Sequence, residues 1–228
     1  MAQPAPRKNG LQPPYTLSVV LAWLGQAISF AFSGVVVYLL NQDWAIAVTV
    51  VLSVLFISLW FYVQSVDPSQ PGGLLLPCIR DSQATTRYCS ICKKVVPGLD
   101  HHCPWLGHCI GTRNYFQFYI LTLVGWLCAG WQCIFGVLTI VMVDWRENSI
   151  HRAGDSVVTF SVLMSLHLAC SATVFCWYLG LWGFHTYLLF IGKGTYMFLI
   201  DRREKMLEAR SKALEARTEP ADVLPYSS

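Results

Sequence analysis

Charged side chains are scarce in this chain of 228 residues, because Asp, Glu, Lys and Arg make up only 13% of it. A soluble domain carries roughly 25% charged residues, whereas the hydrophobic fraction here reaches 54%. Four apolar stretches also lack a polar face, and each is longer than the about 20 residues that cross a bilayer. They cover 16–40, 44–66, 116–143 and 157–191. The shortage of charge excludes a large soluble protein and predicts four transmembrane helices.

Acidic residues are absent from these four stretches, although the last one contains His167 and His185. A transporter that moves zinc ions needs charged groups inside the membrane that share the ion with the imidazoles. The sequence therefore excludes a zinc transporter. We expect His167 to be a neutral, hydrogen-bonded packing residue of the fourth span.

Basic residues are distributed unevenly between the connections. The loop after the second stretch and the tail after the fourth contain Arg80, Arg87, Lys93, Lys94, Arg113, Lys193, Arg202, Arg203, Lys205, Arg210, Lys212 and Arg217. The two connections on the opposite side contain only Arg146 and Arg152. Because positively charged loops stay in the cytosol, we predict that both termini and the central loop are cytosolic. In that reducing compartment the nine cysteines are expected to be metal-binding, catalytic or packing thiols rather than disulfides.

The same patterns divide the chain into five units. We predict a disordered N-terminus over 1–14, transmembrane helices 1 and 2 over 15–66, and a cytosolic cysteine-rich domain over 67–114. Transmembrane helices 3 and 4 follow over 115–191, and a cytosolic tail with an amphipathic helix over 192–228. The helix of the tail is predicted over 198–217, with disorder after it.

The central loop is rich in groups that bind metals or act as nucleophiles. Seven of them lie close together: Cys89, Cys92, His101, His102, Cys103, His108 and Cys109. Thiolate sulfur and imidazole nitrogen are the ligands that zinc prefers, and Cys-x-x-Cys is the usual tight-turn half of a structural site. The second half of a zinc site must then come from 102–109.

Two sets of four ligands are compatible with this spacing. One set is Cys89, Cys92, Cys103 and Cys109; the other is Cys89, Cys92, His102 and Cys109. The all-cysteine set leaves no reactive group over. The mixed set leaves Asp100, His101 and Cys103, which are the parts of an activated nucleophile: a carboxylate, an imidazole and a thiol. The spacing alone does not choose between the two sets.

The residues around the loop form a longer pattern, Asp100-His101-His102-Cys103-Pro104-Trp105, then Cys109-Ile110-Gly111 and Asn114-Tyr115-Phe116-Gln117-Phe118. This pattern resembles the cysteine-rich domain of the DHHC-type protein S-acyltransferases, or palmitoyltransferases. The resemblance implies the mixed set, with structural zinc on Cys89, Cys92, His102 and Cys109. It also implies that Cys103, His101 and Asp100 are the catalytic residues.

The sequence departs from the family's first zinc site. Of its four ligand positions only Cys78 is retained, since Leu75, Tyr88 and Val95 occupy the others. We therefore expect one zinc ion per chain and a free thiol at Cys78. The segment 74–88 must then pack against the membrane face or the zinc core, or be mobile.

A second departure follows the fourth span. Gly194, Thr195 and Met197 occupy positions where the family has a Thr-Thr-x-Glu motif that stabilises the catalytic domain. His108 is a further difference, because the family commonly has asparagine there, and we expect its side chain to be exposed.

Together, these observations predict an all-α polytopic membrane protein, with four transmembrane helices and a small zinc-bound cysteine-rich cytosolic domain between the second and third. The resemblance implies that it moves a long-chain acyl (palmitoyl) group from acyl-CoA to cysteines of substrate proteins. In that reaction His101, oriented by Asp100, accepts the proton of Cys103, which then carries the acyl group as a thioester. Zinc is structural, since a filled four-ligand site has no open position.

The apolar acyl chain is expected to lie between the transmembrane helices. The partners that the resemblance implies are acyl-CoA, cysteine-bearing proteins at the cytosolic membrane face and the lipid bilayer, with no nucleic acid. The membrane is expected to be an endomembrane (Golgi or ER) or the plasma membrane. The alternative is a catalytically weak or inactive membrane scaffold, which the lost zinc site and the altered Thr-Thr-x-Glu motif favour.

Overall fold

The computed structural model describes residues 5–218. Its elements, in chain order, are α1 (Leu17–Leu40), α2 (Asp43–Ser65), a 3₁₀ turn (Pro77–Ile79), α3 (Arg80–Ala84), β1 (Thr86–Cys89), β2 (Lys94–Pro97), β3 (His101–Cys103), β4 (His108–Ile110), α4 (Tyr115–Val141), α5 (Val143–Arg152), α6 (Val157–Phe190) and α7 (Thr195–Thr218). Helices α1, α2, α4 and α6 are long and apolar enough to cross a membrane. Their ends lie within two residues of the predicted stretches, so the structure has a helix of sufficient length at each of the four predicted spans.

Local sequence explains where two of these helices begin. The Thr16 hydroxyl accepts a hydrogen bond from the Val19 amide, and the Ser156 hydroxyl accepts one from the Thr159 amide. Each side chain thereby satisfies an amide that has no partner within its own helix. Helix α1 is followed by the capping residue Asn41, whose φ of 51° places it in the left-handed region that asparagine tolerates well.

Helix α4 lies at the centre of the bundle, where it packs against α6 and α2. Two of its glycines make the contact with α6 close. A Cβ atom at Gly125 would lie 2.6 Å from the Tyr178 ring, and one at Gly136 would lie 2.6 Å from the Leu168 side chain. Small residues at such contacts allow the helix backbones to approach each other.

A buried polar cluster joins three of the long helices. The Gln132 side-chain oxygen accepts hydrogen bonds from the hydroxyls of Ser29 (3.1 Å) and Ser171 (3.3 Å). The Gln132 carbonyl lies 3.0 Å from Nε2 of His167, which is also buried. The hydrogen bond predicted for His167 is therefore present, and the cluster connects α1, α4 and α6 within the bundle.

The central loop differs from the all-α prediction, because it forms two antiparallel hairpins. Strand β1 pairs with β2, and β3 pairs with β4. The all-α class therefore describes the membrane helices but is wrong for the loop. The turn at Ser90–Lys93, with Lys93 at φ 53°, brings Cys89 and Cys92 together. The chain then runs back along β1 as β2, which completes the hairpin.

The segment before the first span contacts the cysteine-rich loop, although we predicted disorder over 1–14. The Arg7 amide donates to the Cys92 carbonyl (3.0 Å), and the Gly10 amide donates to the Gln64 carbonyl (2.8 Å). The buried Lys94 ammonium donates to the Lys8 carbonyl at 2.7 Å. The prediction was wrong for 5–14, because a composition rich in proline gives no sign of backbone partners in a distant loop; residues 1–4 lie outside the described range.

The segment 74–88, whose ligands are missing, is ordered by hydrogen bonds around the buried Gln83. The Gln83 side-chain oxygen accepts a hydrogen bond from the Leu76 amide at 2.7 Å. The backbone carbonyl of Gln83 accepts one from the Thr112 hydroxyl at 3.1 Å. These hydrogen bonds therefore hold the 74–88 segment in place where the family has its first zinc site.

Two helices outside the bundle complete the chain. Helix α5, which was not predicted, packs against α1 through the buried Ser149, whose hydroxyl donates to the Leu39 carbonyl. Helix α7 includes the helix predicted over 198–217, and its side chains are mostly exposed from Arg202 onward. The disorder predicted after this helix falls on 219–228, outside the described residues.

Candidate active site and metal centre

Four side chains of the two hairpins converge at one point: Cys89, Cys92, His102 and Cys109. All four ligand atoms lie within 4.8 Å of one another. The Nδ1 atom of His102 lies 3.8 Å from the Cys89 sulfur, 3.3 Å from that of Cys92 and 3.9 Å from that of Cys109. The hairpin register produces this cluster, because His102 and Cys109 are directly paired across β3 and β4 and so share a face.

The donor set fits zinc. A tetrahedral zinc ion with bonds of about 2.3 Å to sulfur and about 2.1 Å to nitrogen separates these two ligand types by about 3.6 Å, in the middle of the observed distances. The Cys89 and Cys92 sulfurs, together with burial, raise the pKa of the Cys109 thiol well above its usual range. Without a cation the Cys109 thiol therefore stays protonated, and a zinc ion would supply the charge that lets three thiolates lie at such short distances.

Strand geometry separates the two neighbouring histidines. Successive side chains of a strand point to opposite faces, so His101 and Cys103 lie on the face of β3 opposite His102. Cys103 is buried outside the four-ligand cluster. The structure thus brings the mixed set together and keeps Cys103 away from it, which supports the mixed set over the all-cysteine one.

Asp100, His101 and Cys103 are arranged in sequence on the second face. The Asp100 carboxylate accepts a hydrogen bond from Nδ1 of His101 at 2.8 Å, which leaves Nε2 for Cys103. Burial alone would lower the pKa of His101, but its hydrogen bonds to Asp100 and Cys103 raise that pKa to about 9. The site therefore stabilises the imidazolium form of His101 next to the Cys103 sulfur.

The Asp100 carboxylate is itself ionised and fixed in position. Burial opposes its charge, but the hydrogen bond from His101 and the charge of that imidazole hold the pKa of Asp100 below its usual range. The Thr195 amide donates to Oδ1 at 2.7 Å. The start of helix α7 thus contacts the carboxylate that orients His101.

Cys103 opens onto an apolar cavity of about 210 Å³ that lies between the helices. Its walls come from α1, α2, α4 and α6 and include Leu21, Trp60, Leu121, Val174, Trp177 and Leu181. Two polar groups in its lining satisfy each other, since the Gln26 amide donates to the Tyr178 hydroxyl at 2.9 Å. A hydrocarbon chain attached to the Cys103 sulfur can therefore extend between the helices without burying unpaired polar groups.

The sequence did not predict where two histidines near the site lie. His108, which we predicted to be exposed, is fully buried, and burial lowers its pKa to about 4. The Asn114 side-chain nitrogen donates to Nε2 of His108 at 3.3 Å and to the Cys109 carbonyl at 3.2 Å. The prediction was wrong because His108 fixes the turn after β4 through Asn114, five residues beyond Cys109.

The second histidine is His185 of α6, which lies beside the Asp100–His101 pair. A ring nitrogen of His185 lies within 4.8 Å of ligand atoms of both Asp100 and His101, and the Tyr115 hydroxyl lies 3.2 Å from its Nδ1. The only sequence feature that could have indicated this contact is the position of His185 near the end of the apolar stretch 157–191.

The positions of the missing first zinc site do not converge in the same way. Tyr88 and Val95 pair across β1 and β2 with exposed side chains, and Cys78 is exposed. Among residues 5–218, these positions form no cluster of metal ligands.

Comparison with known proteins gives a match to the family model described as DHHC palmitoyltransferase, over residues 75–202 and so over more than half of the chain. Palmitoyltransferase ZDHHC9 of Danio rerio is 34% identical over 108 residues, which are 47% of this chain and 27% of that protein. Protein S-acyltransferase 8 of Arabidopsis thaliana is 34% identical over 111 residues, 48% of this chain and 26% of that protein. The putative ZDHHC-type palmitoyltransferase 1 of Dictyostelium discoideum is 42% identical over 74 residues, 32% of this chain and 17% of that protein. The matched part of the chain spans about a quarter or less of each relative.

Proposed function

This chain belongs to the DHHC palmitoyltransferase family, and on that premise we propose that it is a membrane-bound protein S-acyltransferase. It would move a long-chain acyl group, such as palmitoyl, from acyl-CoA to cysteines of proteins at the cytosolic membrane face. One observation carries the proposal: Cys103 both contacts His101 of the Asp100–His101 pair and lines the apolar cavity between the membrane helices. Thiol chemistry and a place for a hydrocarbon chain meet at one sulfur atom.

In the first half-reaction, the Cys103 proton passes to Nε2 of His101, and the thiolate attacks the thioester carbonyl carbon of acyl-CoA. A bond forms between the Cys103 sulfur and that carbon, and the carbon–sulfur bond to CoA breaks. The CoA thiolate leaves and takes the proton from His101. Asp100 stabilises the imidazolium while it exists and keeps Nε2 directed at the sulfur.

In the second half-reaction, a cysteine thiol of the substrate protein gives its proton to His101 and attacks the acyl group on Cys103. The acyl–Cys103 bond breaks, and Cys103 recovers the proton. The same imidazole therefore serves both steps, and the net reaction exchanges one thioester for another. Burial of the chain contributes about 0.8 kcal/mol for each methylene group, which favours long acyl groups.

Zinc on Cys89, Cys92, His102 and Cys109 would be structural, because all four positions of a tetrahedral ion are then filled. Its role would be to fix β3 against β1 and β4, so that His101 and Cys103 keep their positions. We also propose that both termini and the loop face the cytosol, as the basic residues predict, in an endomembrane or the plasma membrane. The five sequence units retain their predicted boundaries in this scheme, apart from the contacts made by 5–14.

The inactive-scaffold alternative rested on the lost first zinc site and the altered Thr-Thr-x-Glu motif. Neither loss reaches the catalytic pair, because Gln83 stabilises the first region and the Thr195 amide contacts Asp100. No feature of the site favours the alternative.

The test is a two-stage assay of the purified chain in detergent. Labelled palmitoyl-CoA should first label the protein with a hydroxylamine-sensitive thioester. Addition of a membrane-anchored peptide with a cysteine should then transfer the label, and a matched serine peptide should not accept it. A zinc-replete protein that forms no thioester under these conditions would be a scaffold rather than an enzyme.

A further inference from the structure

The start of helix α7 is packed tightly against the catalytic carboxylate. The Thr195 amide donates to Oδ1 of Asp100 (2.7 Å), and the Gly194 amide donates to the Ser82 hydroxyl (3.0 Å). A Cβ atom at Gly194 would lie 2.8 Å from Oδ1 of Asp100. The positive end of the α7 dipole thus faces a negative charge, which is a favourable arrangement. The larger threonine of the family motif would not fit at Gly194 without a shift.

A glutamate cannot keep α7 in this position, because Met197 occupies the last position of the motif. Arg87 of β1 makes the contacts instead. Its guanidinium lies 4.4 Å above the Tyr196 ring, and Nη2 lies 3.3 Å from the Met197 sulfur. Its Nη1 donates to the Leu99 carbonyl at 3.4 Å, one residue before Asp100.

Arg87 therefore connects three parts of the site. It belongs to the strand that ends in the zinc-ligand position Cys89, it contacts the residue that precedes Asp100, and it covers the first turn of α7. A planar guanidinium suits this position, since it can stack on an aromatic ring and donate in several directions at once.

We propose that Arg87 is a positioning residue that keeps the first turn of α7 on Asp100, in place of the missing glutamate. Loss of the contact lets the Thr195 amide leave Oδ1, and His101 then loses its fixed orientation toward Cys103. This role rests on the proposed acyltransferase function for its effect on rate, whereas its effect on α7 does not depend on catalysis.

The first experiment compares Arg87→Ala with Arg87→Lys, and with Arg80→Ala as the control at an exposed arginine of α3. We expect Arg87→Ala to lower kcat of self-acylation about 10-fold, a fraction of the 10²–10⁴ that a general base contributes. KM for palmitoyl-CoA should not change, because the cavity is untouched, and zinc should stay at one equivalent. The kcat of Arg87→Lys should lie between those of Arg87→Ala and the wild type, since lysine keeps the charge but not the planar group.

The second experiment introduces the family's glutamate as Met197→Glu. A carboxylate at that position can pair with the Arg87 guanidinium, so this variant should be at least as active as the wild type. The double variant Arg87→Ala/Met197→Glu should be less active than Arg87→Ala alone, because its carboxylate has lost its partner. Contacting residues are expected to give such a non-additive result, and strictly additive effects would overturn the proposal.

Hydrogen exchange at the Thr195 and Tyr196 amides separates this inference from the proposed function. Exchange there should be faster in Arg87→Ala than in the wild type and in Arg80→Ala, at equal zinc content. Unchanged exchange overturns the role of Arg87, whatever the enzyme assay gives. Loss of zinc in step with activity also overturns it, because Arg87 would then support the metal hairpin. If the wild type forms no thioester but exchange rises as expected, the proposed function fails and the contact with α7 stands.

Discussion

The cysteine-rich loop has two halves, one organised around four candidate metal ligands and the other around the buried Gln83. In the first half, Cys89, Cys92, His102 and Cys109 lie within 4.8 Å of one another. In the second, only Cys78 remains of a ligand set, and Gln83 accepts hydrogen bonds in its place. The half with the complete set contains β3, which carries the candidate ligand His102 and two of the proposed catalytic residues, His101 and Cys103. The half without it is held by hydrogen bonds of ordinary strength, and its Ile79 packs in the same buried cluster as Cys103.

The largest effect should follow removal of a ligand from the complete half. We expect His102→Ala to lose zinc and to leave the loop sensitive to protease, because binding energy at structural zinc sites is folding energy of about 10–16 kcal/mol. This effect is measured as the zinc content of the protein and as the rate of proteolysis within 67–114. His151→Ala, an exposed histidine of α5, is the control. Full zinc retention in His102→Ala would show that another residue is the fourth ligand.

The next effect separates the two faces of β3. His101→Ala should keep one zinc ion but slow self-acylation by roughly 10²–10⁴, the usual contribution of a general base. Asp100→Ala should behave similarly, since its carboxylate only orients His101 and stabilises its charge. Both variants are measured for zinc and for thioester formation in parallel. Zinc loss in His101→Ala equal to that in His102→Ala would mean that the two roles have been divided wrongly.

A smaller effect is expected in the half that lacks ligands. Gln83→Ala removes the acceptor of the Leu76 amide, and a buried hydrogen-bonding group left without its partner costs about 1–3 kcal/mol. Proteolysis of the 74–88 segment should become faster while zinc stays at one equivalent. Gln70→Ala, at an exposed position, is the control. Loss of zinc from Gln83→Ala would show that the two halves fold as one unit.

The smallest effect is expected at the former ligand positions. Cys78→Ser and Tyr88→Ala change exposed side chains, and such substitutions usually alter stability by less than about 0.5 kcal/mol. Zinc content should equal that of the wild type in both. A fall from two equivalents to one on loss of Cys78 would reveal a second metal site and contradict the comparison.

The sequence predicted those parts that depend on local pattern. The four spans followed from uninterrupted apolar length, and the four-ligand cluster followed from the spacing of Cys89, Cys92, His102 and Cys109 together with a family resemblance. The hairpins were not predicted, because strands of three or four residues are too short to show a clear alternation of apolar and polar residues. Burial of His108 and the approach of His185 to His101 depend on contacts between distant segments. The order of 5–14 depends on backbone carbonyls, which no side-chain pattern reveals.

The account depends most on the separation of Cys103 from the metal, and one measurement tests it directly. Wild type and Cys103→Ser are purified in parallel, their zinc is measured, and both are incubated with labelled palmitoyl-CoA before the peptide that contains residue 103 is analysed by mass spectrometry. We predict one zinc ion in each protein, an acyl thioester on Cys103 in the wild type, and none in the variant. A variant that loses its zinc and aggregates would show that Cys103 is a metal ligand and would contradict the account.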